Sequence, residues 1–222
     1  SESYGLFRLA GRLLLRTPVV ANSRVVRILG RRRVAGLEIE NLVNGKRDVI
    51  ECVTVVFSGY WIAYNELLRM ADVELSPSSG PVVDEALRTP KNGVFAAGNL
   101  IHPVETADVV ALEGEYAASR ILEHLQGRGP QARPIAIEVA EPLRWVSPSA
   151  YSPDGPLPSR NRLITWVDDF IRWPVVTVTQ DGRLIKRKRI LWPAAPGRAF
   201  RIPASVLKGV DKSGGTITVS VG

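Results

Sequence analysis

A helical stripe followed by an abrupt change of composition constrains this chain more than any other feature. Between residues 107 and 125, Ala107, Val110, Ala111, Gly114, Ala118, Ile121, Leu122 and Leu125 recur at three-and-four spacing. That period predicts an α-helix with these residues on one face, and Gly127 stands where a helix stop is expected. From Gly127 to Arg133 the residues turn to Gly, Pro and Arg, the composition of a linker. Beyond it come strand-like runs at Ile135 to Val139, Leu163 to Val167, Val175 to Thr179, Leu184 to Ile190, Ala199 to Ile202 and Thr216 to Val221. Asp181-Gly182 supplies a hairpin turn among them. The expectation is an α/β chain whose last part, residues 135–222, is a small all-β domain after a linker at 128–134.

The first part is more varied. Leu6, Phe7, Leu9, Ala10, Leu13 and Leu14 predict a short amphipathic helix that ends before Thr17-Pro18. Residues 24–57 read as a β-meander, with β-branched bursts broken by Gly30 and Arg31-Arg32-Arg33, a hairpin at Asn44-Gly45, and a buried strand from Cys52 to Phe57. An aromatic-rich segment, Tyr60 to Asn65, leads to a short helical stretch near Glu66 to Ala71. Gly93 to Asn99 then reads as a short apolar strand closed by glycine.

Composition removes several classes of function. With 45% hydrophobic residues in 222, the chain can bury a core and is not of disordered composition. The single cysteine, Cys52, excludes an internal disulfide framework and a Cys-x-x-Cys redox pair; with only His102 and His124 beside it, no metal is expected. No apolar run approaches the roughly 18 residues that span a bilayer, and the first residues lack a secretion signal, so no membrane and a cytoplasmic location are expected. A net charge of +7 would suit an anionic partner. Lys186-Arg187-Lys188-Arg189 and Arg31 to Arg33 carry much of it. Without interleaved aromatic residues, a solvated strand edge accounts for them better than a nucleic-acid surface.

One dinucleotide-type pattern occurs, Gly127-x-Gly129-x-x-Ala132, but it follows a helix and contains Pro130, so it reads as plain linker. More informative are two segments ending in glycine, Thr54-Val55-Val56-Phe57-Ser58-Gly59 and Gly93-Val94-Phe95-Ala96-Ala97-Gly98-Asn99, the second leading through His102-Pro103-Val104-Glu105-Thr106 into the long helix. Together with Leu87-Arg88-Thr89 and Thr106-Ala107-Asp108, they resemble the second half of the FAD domain in the pyridine nucleotide-disulfide oxidoreductase superfamily. The likeness is strongest over residues 19–125, and the whole pattern is similar to the amine and amino-acid oxidoreductase members.

The resemblance implies a partial FAD/NAD(P)-binding Rossmann-like region over residues 1–127, made of the tail of an NAD(P) domain and the second half of an FAD domain. It implies FAD, and NAD(P) as a second nucleotide. Gly59, Gly98, Asn99, Thr106 and Ala107 would be the cofactor-binding residues, with Trp61 and His102 near flavin or substrate; no catalytic residue is assigned. Where such families carry a Gly-Asp pair for the ribityl chain, this chain has Gly98-Asn99, whose amide oxygen can still accept a hydroxyl hydrogen bond. Thr106 and Ala107 would open a helix whose unpaired N–H groups meet the flavin. The two Gly-x-Gly-x-x-Gly turns of such enzymes are missing. The chain therefore reads as a C-terminal portion, inactive alone, whose partner is the missing N-terminal half or a second subunit and whose substrate is a small molecule. The competing reading is a basic, β-rich, non-catalytic module that binds an anionic partner or another subunit.

Overall fold

The computed structural model describes Gly11 and residues 18–57, 62–130 and 132–222. The helix expected over residues 6–14, and the calls on Gly59 and Trp61, lie outside the described residues. The chain divides into two compact units, residues 2–60 and residues 61–222.

Unit 2–60 contains a three-stranded antiparallel sheet in the order β1 (Ser23–Leu29), β2 (Gly36–Asn41), β3 (Arg47–Glu51). The expected hairpin turn joins β2 to β3. The Asn41 Oδ1 accepts the N–H of Val43 at 2.9 Å, and Gly45 takes φ +69°, a conformation that glycine adopts without strain. The basic triplet Arg31 to Arg33 is exposed in the β1–β2 turn. The meander does not, however, end in a buried strand. Val53, Val56 and Phe57 are 63%, 83% and 69% exposed and belong to no strand. Among the described residues β3 pairs only with β2, so the β-branched run after Glu51 has no described ladder to extend.

Unit 61–222 begins with the short helix α1 (Glu66–Met70) and a loop pinned by isolated bridges between Leu75 and Pro81 and between Arg88 and Phe95. The apolar stretch from Gly93 makes only that bridge and then a 3-10 turn, Gly98–Leu100, instead of a full strand. The helix α2 (Ala107–Leu125) forms as the spacing predicts. The apolar stripe is not its buried face: Glu113 and Ala117 are its buried residues, while Ala107, Ala111, Gly114, Ala118, Ile121, Leu122 and Leu125 of the stripe are exposed.

The remaining strands form two sheets: β10 (Phe200–Pro203), β7 (Arg162–Val167) and β5 (Leu143–Ser147) in one, and β6 (Ala150–Tyr151), β4 (Ile135–Val139), β11 (Ile217–Val221), β8 (Val175–Gln180) and β9 (Arg183–Arg189) in the other. β4 and β11 run parallel; every other pairing of these strands is antiparallel. The two-residue turn between β8 and β9 has Asp181 at φ +50° and Gly182 at φ +77°, as the Asp-Gly pair predicts. Inward-facing residues of both sheets share one core, in which Leu163, Val167, Val176, Val178, Ile202, Ile217 and Val219 are fully buried. β9 is a sheet edge, so Arg187 and Arg189 charge an edge that would otherwise invite strand pairing.

The composition change at 127–133 is not where the chain parts into compact units. Arg88 reaches across it to the Pro130 carbonyl at 2.5 Å, and the Val83 carbonyl accepts the N–H groups of Ser149 and Ala150. Arg201 on β10 grips Glu105 through two hydrogen bonds, of 3.2 and 2.6 Å. Polar ties of this kind are invisible to a reading based on local composition.

Candidate functional site

The segment 98–113 gathers the sequence-predicted residues that the structure describes. Gly98 takes φ +70°, and a Cβ there would stand 2.8 Å from Val110 Cγ1, so both backbone and packing require glycine. Its N–H donates to Glu113 Oε2 at 2.5 Å. The requirement is therefore met inside the chain, by α2. Asn99 acts as a clamp: its Nδ2 donates to the Glu105 carbonyl and its Oδ1 accepts the Glu105 N–H, both at 3.1 Å. One lone pair of Oδ1 remains for a hydroxyl.

His102 is 2% exposed, and its Nε2 lies 3.1 Å from Glu113 Oε1. It faces the interior and not a surface where substrate could reach it. Glu113 therefore organises the turn, holding Gly98 with one oxygen and His102 with the other. The apolar period alone did not reveal it, because it searches for hydrophobic residues. A buried role for Glu113 could have been suspected from its position three residues after Val110 and four before Ala117.

At the start of α2, Thr106 is the N-cap residue, with extended backbone, but its side chain caps no backbone N–H. Its hydroxyl instead bonds Asp108, and that bond, more than any other contact, holds the exposed Asp108 carboxyl below its ordinary range. Thr106 and Ala107 are exposed. The Asp108 carboxylate, which also takes the N–H groups of Asp108 and Val109, already sits at the positive end of the helix.

Behind this segment lies a cavity of about 20 Å3, lined on one side by Glu85, His102, Glu105 and Glu113 and on the other by Arg160 and Arg162. Its charges are mostly paired. Asp84 meets Arg88 at 2.7 Å and accepts the Ser152 hydroxyl at 2.9 Å, and Glu105 meets Arg201 at 2.6 Å. Glu85 has no cationic partner at such a distance; burial pushes its carboxyl up to about 8, against the opposing effect of the Ser152 N–H. Tyr116 of α2 lies within hydrogen-bond reach of the carbonyls of Glu85 and Leu157, and burial pushes its phenol up to about 12. Among the described residues no three potential metal ligands cluster, and no helix is long and apolar enough to cross a membrane.

No family model and no curated protein matches the chain. Solved structures similar to it include three thioredoxin reductases. That of T. acidophilum is 24% identical, with 53% of this chain and 40% of that one covered and a TM-score of 0.48. That of Gloeobacter violaceus is 27% identical, with 48% and 34% covered and a TM-score of 0.29. The enzyme of Giardia duodenalis is 22% identical, with 57% and 41% covered and a TM-score of 0.34. In each case the match spans less than half the length of the solved chain.

Proposed function

We propose that this chain contributes the flavin-edge portion of an FAD-dependent oxidoreductase, linked to NAD(P)H or to an amine or amino-acid donor, and that another segment or subunit completes it. The observation that carries the reading is the exposed face of α2. Leu112, Ile121, Leu122 and Leu125 are 50%, 38%, 56% and 76% exposed, and beside them run Ala107, Ala111, Gly114 and Ala118, small enough to let another backbone approach. A stripe of this length on a globular helix is ordinarily covered. On this reading, the other segment or subunit that completes the enzyme covers it.

The residues at the start of α2 fit a flavin in part. Thr106 and Ala107 open α2 at its positive end, which favours negative charge nearby, and Asn99 keeps one acceptor lone pair. The cavity behind them is far too small for the ring system, so the flavin would lie on the open side of the turn. FAD would supply the two-electron chemistry; these residues would hold its edge and disfavour protons there. Cys52, without a second cysteine in the chain, cannot form a dithiol, so disulfide reduction is not part of the proposal.

The test is flavin retention by the purified chain, alone and mixed with a matching N-terminal half or subunit, read by bound-flavin absorbance. Retention only in the mixture, lost with Leu122→Asp, supports the reading. No bound flavin in either sample overturns it. The second reading, an anionic-partner module, is favoured by the basic edge strand β9 alone. Salt-dependent retention on nucleic acid, abolished by replacing Lys186 to Arg189, would decide for it.

A further inference from the structure

Two almost sealed residues each leave one polar atom without a partner: Glu85, 1% exposed, at Oε1, and His102, 2% exposed, at Nδ1. Both residues line the same cavity of about 20 Å3. Roughly 10 to 15 Å3 is enough for one water, provided two or more polar groups surround it. The two groups are also chemically complementary. Glu85 Oε2 accepts the Ser152 N–H at 2.7 Å, which leaves Oε1 to carry the proton when the acid is neutral. Burial keeps it neutral up to about pH 8. On the other side, the Glu113 carboxylate accepts, so His102 Nε2 donates to it, and in the Nε2–H tautomer Nδ1 is an acceptor.

We infer that the cavity holds a single buried water that accepts the Glu85 Oε1 hydrogen and donates to His102 Nδ1, making Glu85 a positioning residue that, through the water, supports the His102 tautomer set by Glu113. The chain of contacts then runs from Glu85 through water, His102 and Glu113 to the N–H of Gly98. This site does not depend on the flavin reading; it would stand if no flavin bound.

The other charges around Glu85 are accounted for on each side. Asp84 is held by Arg88 and Ser152 on its own segment, and Glu105 by Arg201 from β10. Arg160 and Arg162 approach from the β-side wall, and Tyr116 and Tyr151 lie close enough to sense the Glu85 charge. Tyr116 titrates far above neutrality. Ionisation of Glu85 removes the hydrogen that the water accepts from that side, so the water turns a hydrogen toward Oε1 instead.

Two measurements on the intact chain test this. A high-resolution crystal structure near pH 6 should show one ordered water within hydrogen-bond distance of both Glu85 Oε1 and His102 Nδ1. Nitrogen NMR of His102 should show Nε2–H at pH 6 and an Nδ1 resonance that moves as pH rises through about 8, a shift absent in Glu85→Gln. An empty cavity, an Nδ1–H tautomer at pH 6, or the same pH response in Glu85→Gln overturns the inference. Glu85→Leu should lose the ordered water, and if it does not fold, the wild-type pH series and Glu85→Gln still decide.

Discussion

The β-rich part of the 61–222 unit and the helical part before it bury their apolar residues very differently. Strands β4 to β11 close on a continuous core drawn from two sheets, in which eight Val, Leu and Ile side chains have no exposed surface. The helical part has only a small cluster, Val83, Leu87, Ala96, Ile101 and Ala117, and shows an apolar helix face to solvent. One part satisfies its hydrophobic demand alone. The other is built like one layer of a two-layer structure, held in shape by polar clamps and not by a core of its own.

That contrast can be broken most directly from the β side. Phe200→Ala, at a site 1% exposed, should destabilise by about 3 to 5 kcal/mol, read as a lower urea midpoint with unchanged slope; a cost under about 1 would mean the two sheets do not share a packed core. The clamps come next. Arg201→Ala leaves Glu105 buried without its cation and should cost about 1 to 3 kcal/mol, less than for a fully buried pair because Arg201 is about a third exposed.

Glu85 gives the clamps a pH signature. Its folded pKa is raised from an ordinary 4.5 to about 8. The unfolded chain releases this proton first, so the stability that the neutral acid contributes is full below pH 4.5 and declines between 4.5 and about 8, by roughly 1.4 kcal/mol per pH unit at most. Glu85→Gln should flatten that decline in urea titrations at stepped pH. A smaller effect is expected at Asn99→Ala, about 1 to 2 kcal/mol, because two backbone hydrogen bonds to Glu105 are lost. The smallest stability effect belongs to Leu122→Ser, within about 0.5 kcal/mol in the chain alone. The same change should weaken association with a completing half. A large loss of stability without any partner would show that α2 is covered after all.

Much of the fold was readable in the residues, where the signal was local. Asp181-Gly182 and Asn44-Gly45 marked hairpins because their backbone conformations are set by the residues themselves. The ends of α2 followed from spacing and from Gly127. Its orientation did not, because period shows that a stripe exists without showing what lies against it. Cys52 to Phe57 looked like a buried strand since β-branched residues signal propensity, whereas burial needs a neighbour. Of the candidate site, Gly98 was legible through its backbone demand, while the roles of Glu85, Glu105 and Glu113 depend on pairings with Ser152, Arg201 and His102 that no local pattern contains.

The five-stranded sheet places β11, residues 217 to 221, between β4 and β8, in its middle. A ribosome delivers these residues after all the strands they join. Until they emerge, β4 and β8 each lack their central neighbour, and Val176 and Val178 face an unfinished core. Folding of this part must then wait for β11, and its rate should be governed by the long sequence separation between β4 and β11 more than by any turn.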